Sequence, residues 1–353
     1  MLDLDFILTS DRPLLDVRAP VEFEDGHFPC SHNLPILDNA ERKAVGTCYR
    51  EKGQAEAIRL GHSLVSGTVK ESRIEAWTGF LKAHPDALLY CHRGGLRSRI
   101  SVEWIREAGG AVERIPGGYK ALRNHLLSRF DEILDKRRFF VVGGRTGSGK
   151  TAFLAQAGLP FLDLELHANH KGSSFGGNGP QPSQAVFENA VMVSLLKTPE
   201  GSPVLIEDES IMVGSRMVPQ KLMQKMKEAP LCVLDIPIEE RIGIIMRDYV
   251  LAKLGQDCDP PSGTLAFFLD GLARIQKKLG GLDASRIEKE MRSAFGSSNP
   301  RETGVHAPWI RALLERYYDP LYERSLERNK GRILVRGDAP ALLSAFATRK
   351  AKE

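Results

Sequence analysis

Residues 138–151 read RFFVVGGRTGSGKT, and this stretch decides the fold of the second half of the chain. A run of apolar residues ends in a glycine-rich turn, and Lys150 and Thr151 then open a helical pattern. A strand, a glycine turn and a helix in this order are typical of a P-loop, in which backbone N–H groups and the start of a helix surround a phosphate. The stretch therefore predicts a parallel α/β domain that binds a phosphate compound.

The expected phosphate ligands follow the Walker A spacing G-x4-G-K-T. They are Gly144, Arg145, Thr146, Gly147, Ser148, Gly149, Lys150 and Thr151. The glycines let the backbone wrap the phosphate, the lysine adds positive charge at the terminal phosphate, and the threonine hydroxyl can ligate magnesium. ATP is the common ligand of such a loop, but any diphosphate satisfies the same physics.

A second informative segment of this half is acidic. It contains Glu207, Asp208 and Glu209, which follow in succession after an apolar stretch at residues 203–206. An acid at the carboxyl end of a neighbouring parallel strand is where P-loop proteins hold a metal-bound water. We therefore assign Asp208 to the phosphate site, with Glu207 as the other candidate for this role. The alternative is a solvated acidic turn.

The region from about residue 262 to 330 has a helical pattern in which basic and aromatic residues alternate. These residues are Arg274, Lys277, Lys278, Trp309, Arg311, Arg316, Tyr317, Tyr318, Tyr322, Arg324 and Arg328. Such a pattern can bind a phosphate backbone and stack on unpaired bases, but a core stripe with a solvated basic face is the preferred interpretation. Arg241 and Arg247 pose the same choice, because they fit either the basic helix of a nucleotide kinase or the polar face of an amphipathic helix.

The first half also alternates strand and helix patterns, which indicates α/β architecture. Its predicted strands cover residues 13–17, 87–90 and 111–115. Its predicted helices cover residues 55–66, 71–83 and 97–108. A charged segment at 128–138 lacks Gly and Pro and predicts a helical connection, so we place the domains at 1–130 and 131–353. The segment SSFGGNGPQPS, at 173–183, predicts an extended loop.

Composition excludes several classes of protein. The chain has 353 residues, 42% hydrophobic and 27% charged, which fits two globular domains and excludes a disordered or collagen-like chain. Acidic residues stand where a signal peptide needs basic ones, and no apolar run approaches the roughly 18 residues of a membrane span. We expect a soluble cytoplasmic protein that does not contact membranes. A net charge of +4 is too small to indicate a nucleic-acid partner by itself.

Cys91 lies in the most informative segment of the first half, LLYCHRGGLRSRI at residues 88–100. A predicted strand runs into this cysteine, followed by a glycine-containing turn and a helix. The backbone N–H groups, the helix N-terminus and two nearby arginines would lower the pKa of the thiol and stabilise an anion. We therefore predict that Cys91 is a nucleophile, and that Arg93, Gly94, Gly95 and Arg97 surround the anion. The alternative is a buried strand-end cysteine.

The other four cysteines carry weaker signals. Five cysteines in total, without a C-x-x-C pair, argue against a disulfide framework or a zinc knuckle and favour a reducing compartment. Cys48 lies in AVGTCYREKG and is either a second functional thiol or, as we prefer, a packing residue. Packing is the default interpretation for Cys30, Cys232 and Cys258.

The segments LLDVRAPVEFEDGHFPCSHNLP and PGGY, at 14–35 and 116–119, resemble the opening and closing motifs of the rhodanese (sulfurtransferase) domain. This resemblance implies a cysteine that accepts a chalcogen atom as a persulfide or perselenide and passes it on. Cys91 to Ser98 also satisfies C-x5-R-S, the phosphate loop of cysteine-dependent phosphatases. Tyr90 stands where those enzymes have His, so phosphatase is the less favoured alternative.

Taken together, a rhodanese-type loop and a P-loop domain in one chain resemble the bacterial tRNA 2-selenouridine synthase family. Further segments that carry this resemblance are AVGTCYREKG, LGHSLVSG, KGSSFGGNGPQPSQAVFEN, EDESIMVG and LLERYYDPLYERSLE, and together they cover nearly the entire chain. His170 precedes Lys171 where a more basic HRGS-like segment is expected, so we assign no role to His170. The implied fold is a rhodanese-like α/β domain followed by a P-loop NTPase-like parallel-sheet domain with a helical C-terminal region.

The implied activity is replacement of sulfur by selenium in 2-thiouridine at the wobble position of tRNA. The resemblance implies selenophosphate as the donor and an S-geranyl intermediate made from geranyl diphosphate, with Cys91 serving the selenium step. On this view residues 144–151 bind geranyl diphosphate rather than ATP. The implied partners are tRNA and an enzyme that supplies selenophosphate, with no tightly bound cofactor and with magnesium as a candidate ion.

Two other function classes stay open. One is a general sulfurtransferase with a regulatory nucleotide-binding domain. The other is a P-loop kinase or ATPase that carries a degenerate rhodanese module for protein contacts.

Overall fold

The computed structural model describes residues 2–177, 179–255 and 262–350, so that Cys258 lies outside the described residues. The chain divides into two compact units. The first comprises Met1–Asp135 and Pro182–Thr198, and the second comprises Lys136–Gln181 and Pro199–Glu353. The first boundary lies close to the expected one near residue 130, but the first unit also takes a segment from the middle of the predicted second domain.

The first unit is built on a parallel sheet of four strands in the order β2-β1-β3-β4. The strands are β1 (Leu14–Asp16), β2 (Ser31–Asn33), β3 (Leu88–Tyr90) and β4 (Glu113–Arg114). Every residue of β1 and β3 is buried, as expected where helices cover both faces of a parallel sheet. The three strands predicted in this half are confirmed. Strand β2 was not predicted, because its sequence Ser-His-Asn is short and polar.

The helices of the first unit account for most of its residues. They are α1 (Leu4–Thr9), α2 (Pro20–Asp25), α3 (Asn39–Lys52), α4 (Gln54–Leu64), α5 (Gly67–Ala83), α6 (Leu96–Glu107), α7 (Gly118–Lys136) and α10 (Gln184–Leu196). The three helices predicted in this half are confirmed within a few residues as α4, α5 and α6. The charged connection predicted at 128–138 is the end of α7, which is likewise helical.

Helix α10 belongs to the first unit, although the sequence led us to assign it to the second domain. The Ser183 side chain accepts a hydrogen bond from Val186 N and thereby caps the helix at its start. On the helix, buried Asn189 donates to His27 O at 2.8 Å and accepts from Arg123. Phe187 and its apolar neighbours are also buried. This apolar face packs near α1 and α2, and it therefore completes the first unit.

The second unit is built on a parallel sheet of five strands in the order β11-β10-β5-β7-β6. The strands are β5 (Phe139–Gly144), β6 (Phe161–Leu162), β7 (Val204–Glu207), β10 (Leu231–Leu234) and β11 (Ile333–Gly337), and a separate hairpin contains β8 (Met212–Val213) and β9 (Arg216–Met217). The predicted strands at 138–142 and 203–206 are confirmed. Strand β5 lies at the centre of the sheet and is fully buried, which places the loop that follows it in the middle of one sheet edge.

Helices make up the rest of the second unit. They are α8 (Lys150–Gln156), α9 (Leu164–Ala168), α11 (Gln220–Glu228), α12 (Ile238–Ile245), α13 (Ala252–Leu254), α14 (Ser262–Leu279), α15 (Gly281–Phe295), α16 (Thr303–Leu313), α17 (Asp319–Asn329) and α18 (Ala339–Lys350). Two π-helical segments, Met246–Leu251 and Leu314–Tyr318, and a 3-10 turn, Lys330–Arg332, connect some of them. The predicted helical region is confirmed, and its core is centred on Phe268 and Trp309. Among the described residues, no helix combines the length and the apolar character needed to cross a membrane.

Candidate functional site

Cys91 follows directly after the buried strand β3, at the carboxyl edge of the first sheet. Its side chain is only 3% exposed, and Sγ donates a hydrogen bond to Ser98 Oγ at 3.2 Å. Ser98 lies in the first turn of α6, and its hydroxyl donates in turn to Gly95 O at 3.1 Å. The same hydroxyl could donate to a thiolate after rotation about its C–O bond, because a serine hydroxyl is both donor and acceptor. The sulfur is thus held at the start of a helix, as the sequence predicted.

The loop around Cys91 packs tightly on the segment before α7. Tyr119 N donates to Cys91 O at 2.9 Å. Gly94 and Gly118 have φ angles of +62° and +57°, which L-residues with a side chain rarely adopt. A Cβ atom on Gly118 would lie 2.0 Å from Cys91 O, and one on Gly94 would lie 2.6 Å from Gly117 N. Both glycines are therefore required for the two segments to approach each other.

Replacing Gly118 by alanine is expected to lower the free energy of unfolding by about 3 kcal/mol, because the new Cβ combines a left-handed backbone with a clash against backbone. Urea unfolding followed by tryptophan fluorescence would measure the change. Gly79→Ala is the matched control, since Gly79 lies in α5 and a Cβ there meets no atom within 4 Å. Equal stability of the two variants would contradict the packing described here.

The two arginines predicted to bind an anion have different surroundings. Arg97 pairs with Glu22, with Nη2 and Oε1 3.0 Å apart, and Arg42 also reaches Glu22. Burial alone would raise the pKa of Glu22, but the hydrogen bonds and charge of Arg97 outweigh it and lower the pKa to about 2. Arg93 is exposed. The positive charge of Arg97 is thus shared with the Glu22 carboxylate, a contact that no sequence motif indicated.

The Glu22 ion pair predicts an acid-sensitive contribution to the stability of the first unit. Because the folded-state pKa is lowered from 4.5 to about 2, the contribution is complete above pH 4.5 and disappears as the pH falls towards 2. We expect Glu22→Gln to cost about 2 to 3 kcal/mol at pH 7 and much less at pH 2. Urea unfolding at a series of pH values would show this. Glu24→Gln, on the exposed side of the same helix, should unfold like the unchanged protein.

A buried ion pair links the two sequence motifs that accompany the Cys91 loop. Asp16 and Arg18 are 0% and 2% exposed, and Arg18 Nη2 lies 2.6 Å from Asp16 Oδ2. The same guanidinium donates to Gly26 O and lies 4.2 Å from the centre of the Tyr119 ring. Arg18 therefore connects the DVR segment of the opening motif to the closing motif.

The phosphate loop predicted at residues 144–151 runs from β5 into α8. Gly147 and Gly149 have φ angles of +79° and +73°, so their backbone requires glycine. Ser148 N donates to Arg145 O at 3.0 Å, which closes the turn, and Lys150 Nζ lies 3.4 Å from Gly144 O. The eight predicted residues thus lie together at the centre of the sheet edge, in the strand, turn and helix arrangement that the sequence indicated.

Arg241 holds this loop in place. It is 2% exposed, its Nε donates to Thr146 O at 2.9 Å, and its terminal nitrogens lie 2.9 and 2.6 Å from the Asp319 carboxylate. Neither interpretation offered by the sequence fits this arginine, because it is a buried anchor rather than a free cation or a solvated face. Arg247 is 68% exposed and lies near Asp248, which agrees with a polar helix face.

Three carboxylates meet beside the start of α8. Thr151 Oγ1 donates to Glu207 Oε1 at 2.6 Å, and oxygens of Glu165, Glu207 and Glu209 all lie within 4.8 Å of one another. Asp208 is not part of this group and lies against Gly143 instead. Glu165 was not among the predicted residues, because α9 comes before the acidic segment and carries no motif. The one feature that could have indicated Glu165 is its position in α9, directly after strand β6, which pairs with β7 in the same sheet.

Burial raises the pKa of Glu207 to about 7 and that of Glu209 to about 8, with the negative charge of Glu165 as the next cause and Lys150 opposing both. Within the described part of the chain, Glu207 Oε2 is buried without a hydrogen-bond partner. Carboxylate and hydroxyl oxygens are the ligands that magnesium prefers, and a divalent cation would offset the mutual repulsion. This donor set therefore fits a magnesium ion.

The aromatic residues of the C-terminal helices mostly serve the core. Trp309 and Tyr317 are 1% and 8% exposed, so they are not available for stacking on bases. Arg311 pairs with Glu239, and Arg316 with Asp283. The preferred interpretation of this pattern, a core stripe with a solvated basic face, is confirmed for these residues.

The remaining predictions concern single residues. Cys232 is fully buried in the core and Cys30 donates to Asp11, which agrees with packing roles. Cys48 is half-buried in α3. The predicted loop at 173–183 has neither helix nor strand among its described residues, apart from a single bridge between His170 and Gly177.

Comparison with known proteins gives consistent results for both halves of the chain. Residues 137–353 match the family model for the tRNA 2-selenouridine synthase AAA domain. A tRNA 2-selenouridine synthase of Marinobacter nauticus is 45% identical over 97% of this chain and 95% of its own length. Proteins of the same description from Shewanella oneidensis and Hahella chejuensis are each 42% identical, over 95% and 97% of this chain and 92% of their own lengths.

One solved structure also matches part of the chain. It is the N-terminal domain of an ATP/GTP binding protein from Clostridium difficile 630, with 36% identity over 33% of this chain and 90% of that chain. Its TM-score of 0.31 is too low to establish a shared fold, so the fold rests on the strands and helices described above.

Proposed function

Because this chain belongs to the tRNA 2-selenouridine synthase family, we propose that it replaces sulfur by selenium in 2-thiouridine at the wobble position of tRNA. We further propose selenophosphate as the selenium donor and geranyl diphosphate as the co-substrate that activates the sulfur. The observation that supports this proposal is the presence of two loops that each join a buried strand to the start of a helix, one built around Cys91 and the other around Lys150.

In the first reaction the thiocarbonyl sulfur of 2-thiouridine attacks C1 of geranyl diphosphate. The S–C1 bond forms, the C1–O bond breaks, diphosphate leaves, and N3 of the base loses its proton. The backbone N–H groups of residues 144–151 and the Lys150 ammonium would stabilise the departing diphosphate, whose charge increases as the bond breaks. A magnesium ion, when bound by Thr151 and Glu207, would neutralise part of this charge.

In the second reaction the Cys91 thiolate attacks C2 of the base, the bond from C2 to the geranylated sulfur breaks, and geranylthiolate leaves and takes a proton from water. The selenium of selenophosphate then attacks C2, the C2–Se bond forms, and the bond between C2 and Cys91 Sγ breaks, which restores the thiolate. Hydrolysis of the Se–P bond then releases phosphate and leaves 2-selenouridine. Alkylation has made this possible, because a thioether sulfur leaves far more readily than a thiocarbonyl sulfur. We assign Cys91 to this step, with Arg93, Gly94, Gly95 and Arg97 around the anion.

The test is mass analysis of tRNA nucleosides after incubation with both co-substrates and after omission of each in turn. Without selenophosphate we expect S-geranyl-2-thiouridine to accumulate, and without geranyl diphosphate we expect 2-thiouridine to stay unchanged. Formation of 2-selenouridine without geranyl diphosphate would refute the geranyl route. Replacement of geranyl diphosphate by ATP, with full conversion, would favour a kinase-like P-loop instead.

A further inference from the structure

The first unit contains an apolar cavity that neither loop explains. Its volume is about 220 Å³, and helices α3, α4 and α6 contribute most of its walls. Residues that line it include Ile36, Leu37, Ala57, Ile58, Ile100 and Trp104. By the space that one water needs, it has room for on the order of fifteen water-sized groups. The cavity is partly open to the surface, and a mostly apolar cleft of this kind is typical of a small-molecule site, so it requires an explanation.

This cavity lies next to the Cys91 loop. Leu96 and Arg97, the first two residues of α6, line it directly. Cys91 also belongs to the same buried apolar cluster as Leu37 and Trp104, which line the cavity. A group held there would therefore lie beside the start of α6, which follows the loop that carries Cys91.

A wider recess of about 530 Å³ adjoins the cavity and shares Leu37, Val45, Tyr49 and Arg97 with it. Its other walls carry Arg42, Lys43 and Arg50, against a single acid, Glu22. Basic side chains around an open recess attract phosphate groups. The two spaces together thus fit a ligand with an apolar tail and a phosphate attached to the same molecule.

We propose that the apolar cavity binds the geranyl group of S-geranyl-2-thiouridine tRNA during the selenium step, while the adjoining basic recess binds a phosphate of the same tRNA. This inference rests on the proposed function and adds the site that recognises the intermediate. The ten carbons of the geranyl group match the room available.

Binding of the geranyl group in this cavity would select the geranylated tRNA over the 2-thiouridine tRNA from which it is made. Unmodified 2-thiouridine has no apolar group to anchor it, so only the alkylated base would be held with its C2 atom near Cys91. Because the cavity is apolar, the geranyl group would stay out of water while the bond between C2 and its sulfur breaks.

The test is a substitution that fills part of the cavity. Ala57 is 4% exposed and lines the cavity, so the larger side chain in Ala57→Leu would occupy part of the space proposed for the geranyl group. With tRNA that already carries S-geranyl-2-thiouridine, we expect Ala57→Leu to form 2-selenouridine at least about tenfold more slowly, in line with one added group in a hydrophobic pocket. Geranylation of 2-thiouridine tRNA should stay within about twofold of the unchanged protein, since that step uses the second unit. Ala55→Leu, exposed on the same helix, should change neither rate.

A second measurement covers the case in which Ala57→Leu folds poorly. The unchanged protein is titrated with S-geranyl-2-thiouridine and S-methyl-2-thiouridine nucleosides, and the fluorescence of Trp104 in the cavity wall is followed, with Trp104→Phe as the signal control. Affinity at least about tenfold higher for the geranyl compound is expected. Equal affinities, or an unchanged selenation rate in a folded Ala57→Leu protein, would overturn the inference. If instead the unchanged protein neither geranylates tRNA nor selenates geranylated tRNA, the proposed function itself fails.

Discussion

Lys150→Ala protein should form S-geranyl-2-thiouridine at least about 100-fold more slowly than the unchanged protein. In the structure the Lys150 ammonium lies in the loop that follows the central strand β5, and its charge acts on Glu165, Glu207 and Glu209. Without it, the loop would offer only neutral N–H groups to a departing diphosphate. Removing one preorganised donor from such a site typically costs about 10²–10³-fold in rate.

The measurement is the initial rate of geranyl transfer to 2-thiouridine tRNA, with product nucleosides identified by mass. Lys289→Ala removes a lysine from the exposed face of α15 in the same unit and should leave the rate unchanged. Selenation of tRNA that is geranylated beforehand should also persist in Lys150→Ala, because that step is assigned to the first unit. Undiminished geranyl transfer would refute the assignment of the diphosphate to residues 144–151.

Cys91→Ser protein should accumulate S-geranyl-2-thiouridine and fail to convert it to 2-selenouridine. Serine can keep the hydrogen bond to Ser98 and adds no volume, so the loop should retain its structure while losing the sulfur. Loss of a nucleophile typically lowers a rate by about 10³-fold or more. Geranyl transfer should continue at its normal rate, since no part of Cys91 is assigned to the phosphate loop.

Nucleoside analysis of the same tRNA at successive times would separate the two steps. Cys30→Ser is the matched control, because Cys30 lies in the same unit, is only half-buried, and has a packing role. Conversion to 2-selenouridine at full rate by Cys91→Ser would sink the assignment of Cys91. Simultaneous loss of geranyl transfer would show that the two loops act in one reaction rather than in two.

Contiguous features were predictable from the sequence. The phosphate loop is a single stretch in which the glycines, the lysine and the threonine are fixed by local backbone geometry, so their spacing alone indicates the strand, turn and helix. The Cys91 loop is local in the same sense. Central strands such as β1 and β5 were predicted because burial on both faces leaves an apolar run in the sequence.

Features that depend on tertiary contacts were not predictable. Glu165 reaches Glu207 only because α9 follows strand β6, which pairs with β7 in the same sheet. Strand β2 is polar and short at the sheet edge, and β6 has only two residues, so neither leaves a periodic pattern. The apolar cavity had no signal either, because its walls come from three helices and a cavity is defined by what those helices leave unfilled.

Arg241 illustrates a residue whose surroundings could not be predicted from its local sequence. Both interpretations of the sequence placed its side chain at the surface, either to bind a ligand or to contact solvent. In the structure it is buried and forms hydrogen bonds with Thr146 and Asp319. Asp319 follows only in α17, far along the chain, so the pairing depends on how the helical region folds. A buried arginine paired in this way is costly to disturb, because removing either partner leaves an uncompensated charge.

The late position of helix α10 in the chain has a consequence for synthesis on the ribosome. The first unit cannot bury the surface around His27 and Arg123 until residues up to 198 have emerged, long after its own sheet is complete. At roughly 5–20 residues per second this delay lasts several seconds, during which the nascent first unit exposes an apolar face. Meanwhile β5, the phosphate loop and α8 have already been made. The first unit can therefore be completed only after the beginning of the second has been made, and a protein shortened at residue 135 would lack α10 and the contacts it makes with His27 and Arg123.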